Sequence, residues 1–381
     1  MLGPVLRGVA VAAGRLRPYA VAAAWTVYEF LKSGGFLGFP WGLAAYPVNT
    51  VTPLIQFTAL TGVWGLSLLM ALVNAAVAEG VQRPWRRQPV GAYLMVAALA
   101  IGALGYGFLR LGTAEARAPV SGPATRIDVA LIQHHHDPWP EADPIARHQA
   151  ISDSLRTLMR LTRRVLDEGD PDLVVWSETA LVYQPVGHSD AEYYDLIPDG
   201  DPLAPFLRAL NAHLITGAPY EVDPAAFEYS NASFLISPGA NGFDHYRKQQ
   251  LVPFAEAVPF WEVDFTVSSE TQHLVAARFR SVETARPLLR ATNGGITAAL
   301  DVYGRPMPGS VLPPFTADAA LVTLYLPATP AMTPYVAFGD YLPVALIIAL
   351  IVLLGRHAAS SGRRRRSPST ARRTAVTDSP R

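Results

Sequence analysis

The stretch Pro171-Asp172-Leu173-Val174-Val175-Trp176-Ser177-Glu178-Thr179 decides which fold the chain can form. Its apolar run is short, rich in valine and preceded by a turn, which predicts a buried strand. Glu178 comes directly after that strand. Because the functional groups of α/β proteins gather where strands end, the stretch predicts an α/β domain with a carboxylate at such a strand end.

Helical and strand-like segments alternate on both sides of this stretch. Residues 126–133 (RIDVALIQ) are predicted to form a strand, and residues 148–166 an amphipathic helix, because their apolar positions recur at helical spacing. Further elements are predicted in this order: helix 202–212, strand 213–220, paired strands 230–238 and 243–251, helix 271–284, and strands 288–291, 296–304 and 319–326. This alternation predicts a layered α/β domain whose sheet is not purely parallel.

The composition is that of a membrane-associated chain. Half of the 381 residues are hydrophobic, 16% are charged, and the formal net charge is zero. The balanced charge predicts no nucleic-acid partner. The chain contains no cysteine, which excludes disulfides, thiolate metal sites and thiol catalysis.

Four apolar segments are candidate membrane spans: residues 18–31, 54–78, 90–111 and 335–354. The hydrocarbon core of a bilayer, about 30 Å thick, requires roughly 20 apolar residues in a helix. The last three segments meet this length, and the first is shorter. The sequence therefore predicts N-terminal membrane helices at 1–111, an outward-facing domain at 112–333 and a C-terminal transmembrane helix at 334–355.

The arginines predict the orientation in the membrane. They gather in three places: Arg7, Arg15 and Arg17; Arg83, Arg86 and Arg87; and the tail 356–381. If each span crosses once, all three lie on the same side, which is cytoplasmic by the positive-inside rule. The long domain then faces the periplasm of a bacterial inner membrane. The tail, rich in Arg, Ser, Thr and Pro, is predicted to be disordered.

Two further motifs follow the strand that ends at Glu178. Residues 246–256 (YRKQQLVPFAE) contain Lys248 and Glu256, and residues 272–296 begin with Gln-His and end in ATNGGI. The membrane part carries Gly38-Phe39-Pro40-Trp41, followed by Gln56, Gly62 and Asn74. Together these motifs resemble the nitrilase (carbon–nitrogen hydrolase) superfamily and, within it, the apolipoprotein N-acyltransferases. The resemblance covers residues 25–352 and implies an α-helical membrane domain plus an α/β nitrilase-like layered sandwich domain.

The resemblance also implies a reaction in two steps. In this family a cysteine thiolate takes an acyl chain from a phospholipid and passes it to the N-terminal amine of a diacylated apolipoprotein. Glu178 would be the general base, Lys248 would stabilise the oxyanion, and Glu256 would orient the lysine or support its charge. Trp139 and Trp41 would lie on the lipid-facing substrate side. The implied partners are the phospholipid donor, the apolipoproteins and the bilayer, and no metal or cofactor is implied.

The chain departs from the family pattern after Glu256. The family's cysteine is expected there on a strand, followed by an aromatic residue and a glutamate, well before the next Gln-His. Here that Gln-His, at Gln272, follows too soon, which predicts an internal deletion near 257–270 and impaired acyl transfer. Phe260-Trp261-Glu262 resembles the expected triplet, with phenylalanine in place of cysteine. Ser268 or Ser269 is an alternative hydroxyl nucleophile.

Simpler interpretations of the same residues stay open. Glu178 could cap a helix, Lys248 and Glu256 could form a surface ion pair, and Trp139 could be a packing residue. Residues 38–41 could be a tight turn with an interfacial tryptophan. The triple histidine 134–136 could bind a metal, although no second ligand cluster at suitable spacing accompanies it.

Three functions are compatible with the sequence. The first is an apolipoprotein N-acyltransferase impaired by the missing cysteine. The second is a catalytically inactive relative that binds lipid or lipoprotein. The third is a membrane-tethered amidase, which the membrane motifs disfavour because hydrolysis of small amides does not need them.

Overall fold

The computed structural model describes residues 2–35, 38–84, 89–116, 124–136, 143–195, 202–223, 225, 228–249, 267–329 and 331–366. The helices, in chain order, are α1 (Leu2–Ala13), α2 (Arg17–Ser33), α3 (Thr52–Ile55), α4 (Thr58–Thr61), α5 (Val63–Val81), α6 (Val90–Ala116), α7 (Pro144–Glu168), α8 (Leu203–Ala209), α9 (Val267–Thr284), α10 (Pro334–Phe338) and α11 (Tyr341–Arg366). The strands are β1 (Ala124–Gln133), β2 (Leu173–Val175), β3 (His213–Asp223), β4 (Glu228–Ile236), β5 (Phe243–Arg247), β6 (Leu288–Arg290), β7 (Ala298–Leu300) and β8 (Asp318–Pro327).

Six strands form one mixed sheet in the order β5-β4-β3-β2-β1-β8. The three central strands β1, β2 and β3 run parallel, whereas β4, β5 and β8 are antiparallel to their neighbours. The predicted strands at 126–133, 213–220 and 319–326 are confirmed, and so is the mixed character of the sheet. The predicted strand 296–304 is shorter in the structure, because only Ala298–Leu300 pairs with β6.

Helix α7 covers one face of the sheet. Asp143 caps its first turn by accepting a hydrogen bond from the backbone N–H of Ala146 (3.0 Å), and Pro144 occupies the first helical position. Ile151, Leu155 and Leu158 repeat at helical spacing and are buried against the sheet. The side chain of Trp176 lies in this layer and donates to Thr162 Oγ1 (3.0 Å), so its one polar atom is satisfied within the core.

The opposite face of the sheet packs on the small β6–β7 sheet. Val129, Leu131 and Val175 alternate with the residues that face α7, and they contact Ala299 of β7. The alternation is that of a strand covered on both sides. The α/β domain is therefore layered, with a helix on one side of the main sheet and a short β-pair on the other.

Three helices among the described residues are long and apolar enough to cross a membrane: Val63–Val81, Val90–Thr113 and Tyr341–Ser360. The second agrees with the predicted span 90–111. The predicted span 335–354 begins too early, because α10 ends at Phe338, Gly339 has a φ of 62°, and the long helix α11 begins at Tyr341. The predicted combination of apolar helices with a layered α/β domain is confirmed. Helix α11 extends to Arg366, past residue 355, where the sequence predicts disorder to begin. Alanines and arginines are good helix formers, so the helix continues beyond its apolar part.

The predicted single span 54–78 is wrong in its first third. The structure has two short helices, α3 and α4, before α5 begins at Val63. Gly62 has a φ of 64°, which ends α4 and redirects the chain. Gln56 donates from Nε2 to the carbonyl oxygens of Thr52 and Tyr303 (both 3.0 Å), which ties this irregular segment to the α/β domain.

Helix α9 joins the α/β domain to the apolar helices. Its buried residues Val275, Phe279 and Val282 belong to the same apolar cluster as Trp64 of α5 and Ala103 of α6. Residues from both halves of the chain therefore share one core. The helix runs from this core toward the end of the sheet at which Glu178 lies.

Close packing between α6 and α3 yields a test of this arrangement. A Cβ atom added at Gly107 would lie 1.8 Å from the carbonyl oxygen of Pro53, whereas one added at Gly105 meets nothing within 4 Å. We expect Gly107→Ala to force the two helices apart and lower the thermal unfolding midpoint in detergent. The matched Gly105→Ala should leave the midpoint unchanged or raise it, since alanine favours helix. Equal effects of the two substitutions would contradict the close contact.

Candidate active site

Glu178 leaves the sheet at the carboxyl end of β2. Pairing with β3 continues past the strand, because the N–H of Trp176 donates to the carbonyl of Ile215 (2.8 Å) and the N–H of Gly217 donates to the carbonyl of Ser177 (3.1 Å). The chain then turns at Thr179, whose φ is 53°. The sequence placed a carboxylate at this strand end, and the structure has it there.

The turn lies directly on β3. A Cβ atom at Gly217 would lie 2.6 Å from the backbone nitrogen of Thr179 and 2.7 Å from Cα of Glu178. Only glycine allows this approach without moving the glutamate backbone. Gly217 therefore fixes the height of Glu178 above the sheet.

Two polar groups hold the Glu178 carboxylate. Lys248 Nζ and Asn231 Nδ2 both donate to its Oε1, each at 2.9 Å. The N–H of Lys248 donates to the carbonyl of Asn231 (2.8 Å), so β4 and the end of β5 present both donors together. The structure thus brings the predicted residues Glu178 and Lys248 into direct contact. Asn231 was missed, because only the pairing of β4 with β5 shows that it lies beside Lys248.

This arrangement combines two chemical capacities. The carboxylate of Glu178 is 61% exposed and can exchange a proton with a bound group, while Lys248 supplies a fixed positive charge beside it. A general base next to a cation is what acyl transfer through a negatively charged intermediate needs. An ion pair so exposed adds little to stability, so the fold alone does not require it.

His273 of α9 forms the neighbouring side of the site. Its ring meets that of Trp41 edge-on, with the centroids 4.7 Å apart. Burial lowers the pKa of His273, as does the nearby charge of Arg290, and the charges of Glu178 and Lys248 also act on it. Trp41 stacks on Phe39 (5.0 Å), and its carbonyl accepts from Lys32 Nζ (2.8 Å). The predicted residue Trp41 therefore reaches the site through His273.

Glu270 and Arg290 make a second ion pair close by. Arg290 Nη2 lies 3.5 Å from Glu270 Oε2, and Arg290 Nε donates to the carbonyl of Ile296 (3.1 Å). Burial lowers the pKa of Arg290, while Glu270 and Glu178 oppose that shift. Sequence reasoning gave neither residue a role, although Arg290 stands in the third motif.

The side chains and backbone of the triple histidine 134–136 make structural contacts. His134 is fully buried with Ser177 Oγ 3.4 Å from its Nδ1, and burial lowers its pKa to about 3. His135 and His136 are tied to Asn293 through their backbone N–H groups (both 2.9 Å). In the part of the chain that the structure describes, no group of three His, Cys, Asp or Glu side chains is placed to hold a metal ion.

Two predicted site residues, Glu256 and Trp139, lie outside the described residues, and so does Phe260. Ser268 and Ser269 fall in the first turn of α9. The described part of the site therefore consists of the Glu178–Lys248–Asn231 contact, the Glu270–Arg290 pair, and His273 with Trp41.

Comparison with known proteins identifies relatives that match most of the chain. Residues 2–76 match a family model described as the apolipoprotein N-acyltransferase N-terminal domain. The chain is 27% identical to apolipoprotein N-acyltransferase 2 of Treponema denticola, over 91% of this chain and 79% of that protein. It is 26% identical to apolipoprotein N-acyltransferase of Borreliella burgdorferi, over 88% of this chain and 74% of that protein. The predicted resemblance to apolipoprotein N-acyltransferases is confirmed.

Solved structures of the nitrilase superfamily overlap part of the chain. Nit3 of Saccharomyces cerevisiae, a member of branch 10 of that superfamily, overlaps with a TM-score of 0.37 and 14% identity, over 57% of this chain and 95% of that chain. A CN-hydrolase superfamily protein of Xanthomonas campestris overlaps with a TM-score of 0.36 and 12% identity, over 64% of this chain and 98% of that chain.

Substitution of Lys248 tests whether its ion pair with Glu178 stabilises the fold. We expect Lys248→Met to change the free energy of unfolding by no more than about 1 kcal/mol, because its partner is largely exposed. Leu158→Ala, in the α7 core, should cost about 2–5 kcal/mol. Denaturant unfolding followed by circular dichroism compares the two. A loss for Lys248→Met as large as that for Leu158→Ala would make the ion pair part of the fold's stability.

The contact between His273 and Trp41 predicts a pH-dependent signal. Since the pKa of His273 is lowered from its ordinary value of 6.5, the ring stays neutral until the pH falls below that value. Any stability that the neutral ring contributes is present above pH 6.5 and is lost as the pH falls through the lowered pKa. We expect Trp41 fluorescence, taken as the difference from Trp41→Phe, to change with a midpoint below pH 6.5. The change should vanish in His273→Gln; if it persists there, another group causes it.

Proposed function

We propose that this chain is an apolipoprotein N-acyltransferase by descent that keeps the proton-transfer and charge groups of the site but lacks the thiol step. The observation that carries the proposal is the Glu178–Lys248–Asn231 contact at the carboxyl end of β2. The charges of Glu178 and Lys248 act on His273, whose ring contacts Trp41, a residue of the region matching the N-terminal domain of these enzymes.

Each described group has a role in acyl transfer. Glu178 would accept a proton from the attacking nucleophile and later from the acceptor amine. Lys248 would stabilise the negative oxygen of the tetrahedral intermediate, and Asn231 would hold the carboxylate in place. Trp41 would lie against the lipid substrate. Glu256 and Trp139, from the same motifs, would support the lysine and the lipid side.

The proposed substrates are a phospholipid as acyl donor and diacylated apolipoproteins as acceptors. The relatives are named for acyl transfer to apolipoproteins. Three helices long enough to cross a bilayer, together with the arginines at 7, 15 and 17, at 83, 86 and 87, and beyond the apolar part of α11, support a multi-pass protein of the bacterial inner membrane. In that orientation the candidate active site faces the periplasm, where acceptor lipoproteins are exposed.

The missing thiol has a specific consequence. The first half-reaction forms a carbon–sulfur bond to the acyl carbonyl and breaks the ester bond of the phospholipid, with the lysophospholipid as leaving group. The chain has no cysteine to form that bond. The comparison supports an internal loss: the alignment with the Treponema denticola relative spans 434 positions but includes only 91% of the 381 residues of this chain, so about 87 positions of the relative face gaps. We place the loss near 257–270.

The two alternative functions differ in what supports them. A protein that binds lipid or lipoprotein without turnover would use the same surfaces around Glu178 and Trp41. An acyltransferase that loses its thiol would become such a binding protein. A tethered amidase would not need the membrane segment, whose similarity over residues 2–76 is to acyltransferases. The acyltransferase origin therefore accounts for both halves of the chain.

The test is complementation in a bacterium depleted of its own N-acyltransferase. We expect a reporter lipoprotein to stay diacylated when the chain is expressed as it stands, because no thioester can form. Mass spectrometry of the N-terminal peptide reads the number of acyl chains. A triacylated reporter would contradict the proposed loss of the thiol step.

Restoring the missing segment by a graft gives a gain-of-function test of the same proposal. Replacing residues 257–270 with the longer, cysteine-containing segment of the Treponema denticola relative should restore some triacylation. Adding Glu178→Gln to the graft should abolish it, whereas Glu168→Gln, at the exposed end of α7, should not. A graft that is present in the membrane but gains nothing from the cysteine would overturn the acyltransferase origin.

A further inference from the structure

The end of α9 carries a buried glutamate that no step of the proposed reaction uses. The side chain of Glu283 is 1% exposed, and its Oε1 accepts a hydrogen bond from the backbone N–H of Val63 at 2.6 Å. Val63 is the first residue of the apolar helix α5. A side chain of the α/β domain therefore bonds to the beginning of a candidate transmembrane helix.

The Glu283 carboxyl group acts as the N-terminal cap of α5. The first N–H groups of any helix have no partner within the helix and are normally bonded by a capping side chain. The residue before α5 is Gly62, which has no side chain to offer. Glu283 fills that position from another part of the chain, because its carboxyl oxygen accepts from the first N–H of the helix.

Further hydrogen bonds and an ion pair surround the contact between Glu283 and Val63. Arg280, one turn earlier on α9, lies 2.9 Å from Glu283 Oε2. Thr333 Oγ1, just before α10, donates to the backbone carbonyl of Glu283. Asp340, just before α11, accepts from Trp64 Nε1 (2.7 Å) and from the hydroxyl of Tyr335 (3.1 Å). Helices α5, α9, α10 and α11 therefore meet around one buried carboxylate.

The charges around this carboxylate do not fully compensate its burial. The titratable and charged groups that face it are Arg280, Asp340, Tyr335 and Tyr46, with Arg110 donating to the neighbouring carbonyl of Val282. Burial, with a smaller effect of the charge of Asp340, raises the pKa of Glu283 to about 7 against the opposing effects of Arg280 and the Val63 N–H. A glutamate released into water returns to its ordinary value near 4.5.

We propose that Glu283 is a positioning residue that docks the α/β domain onto the start of α5, and that this docking takes up a proton at its carboxyl group. Helix α9 carries Glu283 at one end and Glu270 and His273, in the candidate active site, at the other. Docking at Glu283 therefore also sets where that side of the site lies relative to the membrane helices. The inference goes beyond acyl transfer and does not depend on it.

The direction of the pH effect follows from linkage. Because the pKa of Glu283 is higher in the docked state than in water, its contribution to docking is complete below pH 4.5. The contribution is lost as the pH rises from there through about 7, and it is constant above that. One proton allows the docking equilibrium to change by at most about tenfold per pH unit.

Hydrogen exchange of the full chain in nanodiscs tests the proposal, with peptides covering residues 62–69 and 267–275. After correction for the intrinsic pH dependence of exchange, protection at residues 62–69 should fall several-fold between pH 5 and 7 and then level off. Glu283→Gln, which mimics the protonated acid, should show no such fall in either peptide and should exceed the natural protein in protection at pH 8. Glu168→Gln, an exposed glutamate of α7, should behave as the natural protein does.

Two results would overturn the proposal. One is a fall in protection that persists unchanged in Glu283→Gln, which would assign the proton to another group. The other is protection that does not depend on pH in the natural protein. Neither readout uses acyl transfer, so failure here is distinct from failure of the complementation test.

Discussion

The pairing of β2 between β1 and β3 is the constraint on which the candidate active site depends. Only three residues of β2 pair with each neighbour, yet they are parallel to both and lie in the middle of the sheet. The backbone bonds that continue to Ser177 fix the position at which Glu178 leaves the sheet. Gly217 then lets the turn lie flat on β3, so Lys248 and Asn231 reach the carboxylate from the adjoining hairpin. A shift of one residue in this pairing would turn Glu178 to the other face.

Helix α9 connects this sheet end to the membrane part of the chain. Its apolar residues share a core with α5 and α6, its last turn holds Glu283 at the start of α5, and its first turns hold Glu270 and His273 beside the site. The contact of Trp41 with His273 links the loop after α2 to the same helix α9. These contacts connect the candidate active site to the apolar helices, as the proposed reaction on a lipid would require.

The sequence predicted the strands well and the connections between distant segments poorly. Alternating valines and leucines are a local signal, so the strand before Glu178 and the helix α7 could be identified from spacing alone. The break at Gly62 was missed, because residues 54–78 carry no charge and are mostly apolar, and hydropathy does not register a backbone turn. Asn231, Glu270 and Arg290 could not be assigned by local reasoning, since each reaches the site through strand pairing or helix docking. The buried Glu283 gave no signal either, because its partner is a backbone N–H 220 residues away.

In the proposed function, the proton-transfer and charge groups of an acyltransferase persist without a thiol to hold the acyl chain. Intact-protein mass spectrometry after incubation of the purified chain with phospholipid tests that claim most directly. We expect an unchanged protein mass, because the chain has no thiol to form a thioester. A mass increase equal to one acyl chain, stable to neutral hydroxylamine but removed by alkaline hydroxylamine, would overturn this expectation and would show that a hydroxyl side chain has taken over the covalent step.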